Sequence, residues 1–161
     1  MSRKSRFSAI SFLFSAFVFL FSSCIKAPDY VAIEKQDIEN YLADNPTLAF
    51  VKKESGLYYL EVTPGTGETV RPHDTAYVVY KGQFLDGTVF DPGTDTLAFA
   101  VGAGDLVPGF DEGVSYMKAG GKSKLLIPSS LAYGATGYYI IPGYTPLLFD
   151  ITLARIVRMS K

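Results

Sequence analysis

Leu147-Leu148-Phe149-Asp150-Ile151-Thr152-Leu153 decides how this chain is read. Leu147, Phe149, Ile151 and Leu153 share one face and Asp150 and Thr152 the other, the period of two that marks a strand buried on one side. Working outward, the same character recurs. Residues 57–62 (Leu-Tyr-Tyr-Leu-Glu-Val), 75–84, 97–101 and 123–127 read as further strands, with Pro64-Gly65-Thr66-Gly67 as a turn. A single helix interrupts them. Phe110, Val114 and Met117 form its apolar stripe, Asp111 and Glu112 suit the positive end of its dipole, and Lys118 with Gly120 closes it. Several strands and one internal helix predict an α+β fold: an antiparallel sheet, buried on one face, wrapped around one short helix.

The N-terminal residues have a different composition. Arg3, Lys4 and Arg6 precede an almost wholly apolar run over residues 7–21, and Ser22 and Ser23 follow it. A charged start, an apolar middle and small residues at the exit describe a secretory signal peptide over residues 1–23. The run is shorter than the roughly 20 residues a spanning helix needs, although an uncleaved membrane anchor is the alternative. Cys24 is the single cysteine, so no intrachain disulfide forms. Its place at the end of the apolar run resembles that of a bacterial lipobox cysteine, acylated and first in the mature chain. Phe21 keeps the bulk of the usual leucine, and simple secretion is the alternative.

Removing residues 1–23 takes away three of the 15 cationic side chains and none of the 16 acidic ones, for a formal charge of −4. A mildly acidic surface argues against nucleic acid as a partner, because phosphate binding depends on clustered Lys and Arg. Residues 24–56 read as a tether (25–31) and an amphipathic helix (32–45), and residues 57–161 as the main domain. Ile33, Ile38, Tyr41 and Leu42 share one side of that helix, and Asn45-Pro46 stops it. It is expected to pack on its own domain or to be simply solvated; a dimerisation helix is the alternative.

The common catalytic constellations are missing. His73 is the sole histidine, with no second histidine or cysteine beside it, so neither a metal site nor a Ser–His–Asp site is expected. Gly102 and Gly104 do not complete a dinucleotide-binding fingerprint, no phosphate-loop lysine motif is present, and no cofactor is expected. Aromatic and aliphatic residues are instead concentrated in turn-rich segments. Tyr80, Phe90, Leu97, Phe99, Val107, Phe110, Tyr133, Ile140, Ile141 and Phe149 are candidates for a concave apolar site, although each singly also fits a core. Tyr133, Ile140 and Ile141 fall in turns, where side chains that large tend to cover something.

Four separated blocks carry a resemblance: Tyr80-Lys81-Gly82; Asp86-Gly87-Thr88-Val89-Phe90-Asp91; Val107-Pro108-Gly109-Phe110-Asp111-Glu112-Gly113; and Ala132-Tyr133-Gly134-Ala135-Thr136-Gly137 followed by Ile140-Ile141-Pro142. In this order and at these separations they resemble the FK506-binding-protein (FKBP) family of peptidyl-prolyl cis–trans isomerases, over residues 57–158. The resemblance implies an isomerase of X–Pro bonds in unfolded or newly exported polypeptides, with a non-catalytic peptide-binding chaperone as the alternative. It places Phe110 at the pocket floor, where the family usually has tryptophan, and Tyr80, Phe90, Phe99, Val107, Ile141 and Phe149 on the walls. Asp91 matches the acidic residue beside the pocket, Tyr133 a hydroxyl donor, and the Val107 N–H a further donor to the ligand. Leu97, Leu106 and Ile140 are expected to contact substrate, and Tyr138 and Tyr139, in a loop shorter than the family's, to do so at the rim or else to pack on neighbouring strands. Leu97 replaces a common phenylalanine, and the segment between it and Phe90 is short and lacks the family's frequent arginine. These departures bear on macrolide affinity more than on isomerase activity.

Overall fold

A computed structural model describes residues 28–158, so the signal-like segment and Cys24 lie outside the described residues. In chain order the elements are α1 (Tyr30–Asp44), β1 (Val51–Lys52), β2 (Tyr58–Thr63), β3 (Thr75–Gln83), β4 (Val89–Asp91), β5 (Leu97–Ala100), α2 (Pro108–Ser115), β6 (Lys122–Ile127) and β7 (Leu147–Val157). Among the described residues the strands form one antiparallel sheet in the order β1-β2-β6-β7-β3-β4, with β5 pairing the first half of β3. β3 is the hub because it is long. Its full length pairs β7, while its two ends take β5 and β4 on the other edge.

Alternation along β7 places Leu147, Phe149, Ile151 and Leu153 in the main core beneath α2. Phe110, Val114 and Met117 meet them there, and Leu125 and Ile127 join from β6. A bulge opposite Tyr77 and Val78 then shifts the phase of β7. Beyond it Ile156, rather than residue 155, packs toward the core, and the Arg155 guanidinium lies over the Tyr77 ring.

The expectation of one buried face needs correction. Leu126 and Leu148 point to the opposite side and are as buried as their neighbours, because α1 lies across them with Ile38. On the open remainder of that side Asp150 pairs with Lys124 and, at 3.1 Å, with Lys81, beside the exposed Val79. The helix also differs from its expected outline. It starts at Tyr30 rather than residue 32, because the Asp29 carboxylate accepts the Ala32 N–H at 3.1 Å and caps it. Ile33, expected on the apolar side, is 47% exposed, whereas Glu34 is buried. β1, upstream of residue 57, pairs through Val51 and Lys52 with Tyr59 and Tyr58.

Candidate active site

Phe110 forms the floor. Its ring, only 4% exposed, meets Tyr80, Phe149 and Phe99 edge-on at centroid distances of 5.6, 5.2 and 6.0 Å. Such T-shaped contacts hold each ring in one orientation. Phe90 reaches the same cluster from β4, 5.7 Å from Phe149. Gly82 makes this approach possible, since a Cβ there would sit 2.6 Å from the Phe90 ring. Above the floor opens a cavity of about 300 Å³ lined by Tyr80, Phe90, Asp91, Leu97, Asp105, Leu106, Val107, Phe110, Tyr133, Tyr138 and Phe149.

Asp91 is the cavity's fixed polar group. Its Oδ2 accepts the Tyr80 hydroxyl at 2.6 Å, and its Oδ1 accepts the Gly93 N–H at 3.0 Å. The second bond depends on glycine: residue 93 has φ +55°, and a Cβ there would fall 1.9 Å from the Tyr80 carbonyl oxygen. Burial and, after it, the bond to Asp91 push the Tyr80 phenol up to about 12. Tyr80 therefore stays a neutral donor at physiological pH. Burial also raises Tyr133, aided by its neighbours Tyr138 and Asp91. At the start of α2, Val107 lends its carbonyl to the Phe110 and Asp111 N–H groups, while its own N–H has no acceptor among the described residues. The Asp111 carboxylate holds the Gly102 N–H at 2.9 Å and so ties down the loop beside the cavity.

The rim is a turn closed by two reciprocal bonds of 2.8 Å between Tyr138 and Ile141. Tyr138 stacks on Tyr133 at 5.1 Å and 14° and thereby turns toward the cavity. Tyr139, at φ +52°, is 97% exposed at the tip, and Ile140 beside it is also exposed. Neither lines the cavity; both stand in solvent at the tip of the turn. Phe99 and Ile141 are likewise displaced from the expected wall: both are buried in the core behind it, Phe99 against Phe110. Asp105 was missed. It lies in an aperiodic glycine-rich loop, and only its nearness in sequence to Val107 hinted at the site.

An antiparallel sheet over one short helix is the arrangement that solved structures share with this one. Residues 66–154 match the family model described as FKBP-type peptidyl-prolyl cis-trans isomerase, and the chain belongs to that family. It is 40% identical over 131 residues to the FKBP-type peptidyl-prolyl cis-trans isomerase FkpA of Aeromonas hydrophila, aligning 80% of this chain with 49% of that protein. The FkpA of Escherichia coli K12 is 41% identical over 110 residues, aligning 66% of this chain with 40% of that protein. The chain thus spans less than half the length of these relatives. The crystal structure of FkpA from Escherichia coli superimposes with a TM-score of 0.70 at 34% identity, covering 80% of this chain and 61% of that one. A peptidyl-prolyl cis-trans isomerase from Pseudomonas syringae pv. tomato gives 0.71 at 29% identity, covering 83% and 98%.

Proposed function

We propose that this protein is a peptidyl-prolyl cis–trans isomerase of the bacterial cell envelope, acting on X–Pro bonds of unfolded or exported polypeptides. The observation that carries the reading is the cavity itself: the rings of Tyr80, Phe90, Phe110 and Phe149 meet beside the Asp91 carboxylate, whose two oxygens are already held.

Rotation about an X–Pro bond is slow because amide resonance must be broken, a barrier of about 18–20 kcal/mol. In the twisted transition state conjugation is lost and the carbonyl is less polar than in the planar amide. A water-poor aromatic cavity penalises the planar form more than the twisted one, and each 1.36 kcal/mol of that difference is worth tenfold in rate. In this reading the proline ring sits over Phe110 between Phe90 and Phe149. The Val107 N–H and the Tyr133 hydroxyl donate to substrate carbonyls. Asp91, held rigid by Tyr80 and Gly93, presents a fixed negative edge to the rotating amide. The chemistry required is differential solvation and positioning, with no bond made or broken.

The envelope location rests on the signal-like residues 1–23, and we infer acylation at Cys24, with residues 25–31 as a short tether to the bilayer. Loss of radiolabelled fatty-acid incorporation and release from the membrane fraction in Cys24→Ala are the expected results. Membrane association without label would point to an uncleaved anchor.

The activity is tested with a protease-coupled assay on X-Pro-Phe peptides. The wild-type protein is expected to accelerate the slow phase, and Asp91→Ala to slow it by about tenfold, equivalent to 1.4 kcal/mol, while remaining folded at the assay temperature. Binding of the peptides without acceleration would assign the cavity to a chaperone. A wild-type rate in Asp91→Ala would mean that the reacting centre lies elsewhere.

A further inference from the structure

Glu34 is the one acidic side chain of α1 that is buried, 7% exposed, and among the described residues it forms no ion pair. A carboxylate taken out of water without a cation must be compensated by strong hydrogen bonds. Both of its oxygens have one. Oε1 accepts the Ser129 N–H, and Oε2 accepts the Ser129 hydroxyl at 2.6 Å, across a sequence separation of 95 residues.

Ser129 opens the segment that carries the rim. Its carbonyl accepts the N–H groups of Ala132 at 2.9 Å and Gly134 at 2.8 Å, the two residues flanking Tyr133. The Gly134 carbonyl in turn accepts the Tyr144 N–H at 2.9 Å. The Tyr144 ring stacks on Tyr30, the first residue of α1, at 5.5 Å and 14°. Helix α1 therefore holds residues 129–144 near both ends, with Tyr133 and Tyr138 between the two attachments. One turn beyond Glu34, Ile38 fixes α1 to the sheet through Leu126 and Leu148.

We propose that Glu34 is a positioning residue for the cavity: through Ser129 it fixes the turn that sets Tyr133, and with it Tyr138, at the rim. As a statement about catalysis this rests on the isomerase reading above; as a statement about loop order it does not. The rim meets the chain flanking proline rather than the rotating bond, so loosening it weakens substrate binding first and appears mainly in KM.

The test compares Glu34→Ala, Glu34→Gln and Ile38→Ala in the full chain. Glutamine keeps both contacts, because its amide oxygen accepts the Ser129 N–H and its amide N–H donates to the Ser129 hydroxyl. Glu34→Ala is expected to lower kcat/KM by about three- to tenfold, mostly through KM, while Glu34→Gln stays within about twofold of wild type. Ile38→Ala lowers stability but leaves kcat/KM near wild type at temperatures where it is folded. Amide exchange followed by NMR supplies a readout independent of turnover: Ala132 and Gly134 exchange about tenfold faster in Glu34→Ala and at the wild-type rate in Glu34→Gln. If Glu34→Ala fails to fold, Ser129→Ala removes the hydroxyl contact alone and is expected to shift both readouts in the same direction by less.

Unchanged exchange of Ala132 and Gly134 in Glu34→Ala overturns the proposal whatever the activity. Faster exchange with an unchanged kcat/KM, or an equal loss of kcat/KM in Ile38→Ala, overturns it as well. An inactive wild-type protein sinks the isomerase reading instead, and the exchange data then still decide whether Glu34 orders the rim.

Discussion

The two sides of the sheet are covered by helices of opposite character. α2 has eight residues and buries Gly109, Phe110, Gly113 and Val114 in a core that is apolar along the whole of β7. α1 is nearly twice as long, yet its buried residues are Glu34 and Ile38 alone. Beneath α1 the sheet has an apolar patch around Leu126 and Leu148, and farther along β7 it gives way to the Asp150–Lys81–Lys124 cluster. The short helix is a plug held by area. The long one is a strap fixed at a few points, one of them a buried carboxylate. Area gives stability without much direction, whereas a hydrogen-bonded carboxylate accepts a single geometry. The plug supplies the cavity floor, and the strap reaches the rim.

Deleting an anchor on each side gives the largest effect and the sharpest contrast. Phe110→Ala is expected to cost about 3–5 kcal/mol in urea denaturation, because the rings packed edge-on around it cannot close the hole, and to abolish isomerase activity. Ile38→Ala is expected to cost about 2 kcal/mol, at the low end for such truncations, since the small cluster beneath α1 can settle onto Leu148. Equal losses would make α1 as much a part of the core as α2 and dissolve the distinction.

A smaller effect belongs to the rim that α1 holds. Tyr138 stacks on Tyr133 and lines the cavity, while Tyr139 stands in solvent. Tyr138→Ala is expected to reduce kcat/KM by about threefold on Leu-Pro and Phe-Pro peptides and less on Ala-Pro or Glu-Pro, with Tyr139→Ala near wild type on all four. An equal loss on every peptide would assign Tyr138 to structure rather than to substrate preference.

The smallest effect is electrostatic and again separates the two sides. Tyr80, on the α2 side, is pushed up to about 12 by burial and then Asp91; Tyr41, on α1, is raised by burial and then Asp150. In both cases the folded chain keeps a proton that the unfolded chain gives up near pH 10. The stability they contribute is therefore complete below pH 10 and lost as pH rises through the folded values. Urea midpoints measured from pH 9 to 12 are expected to fall, with a shallower fall up to pH 12 in Tyr80→Phe. Parallel curves for wild type and Tyr80→Phe would mean that the Tyr80–Asp91 bond does not persist at high pH.

What could be read from the chain alone was whatever depends on short spacing. The period of two in residues 147–153 located β7 and its inward face, and the stripe Phe110, Val114, Met117 located α2 with its buried side. The resemblance, carried by separated blocks, pointed to Tyr80, Phe90, Asp91, Val107, Phe110, Tyr133 and Phe149, which the fold gathers around one cavity. Periodicity could not say which large residues stop at the wall and which pass behind it. Phe99 and Ile141 went to the core and Tyr139 to solvent, because those outcomes depend on sheet twist and turn geometry. Nor could it show that Leu148 and Leu126 needed a cover, or that the cover would come from residues more than 80 positions upstream. On a helical wheel Ile33 is the apolar residue and Glu34 the solvated one, yet the structure reverses them. The reversal has a physical reason: the N–H and hydroxyl of Ser129, buried with it, together form a better partner for that carboxylate than water does, and only the folded chain brings them together.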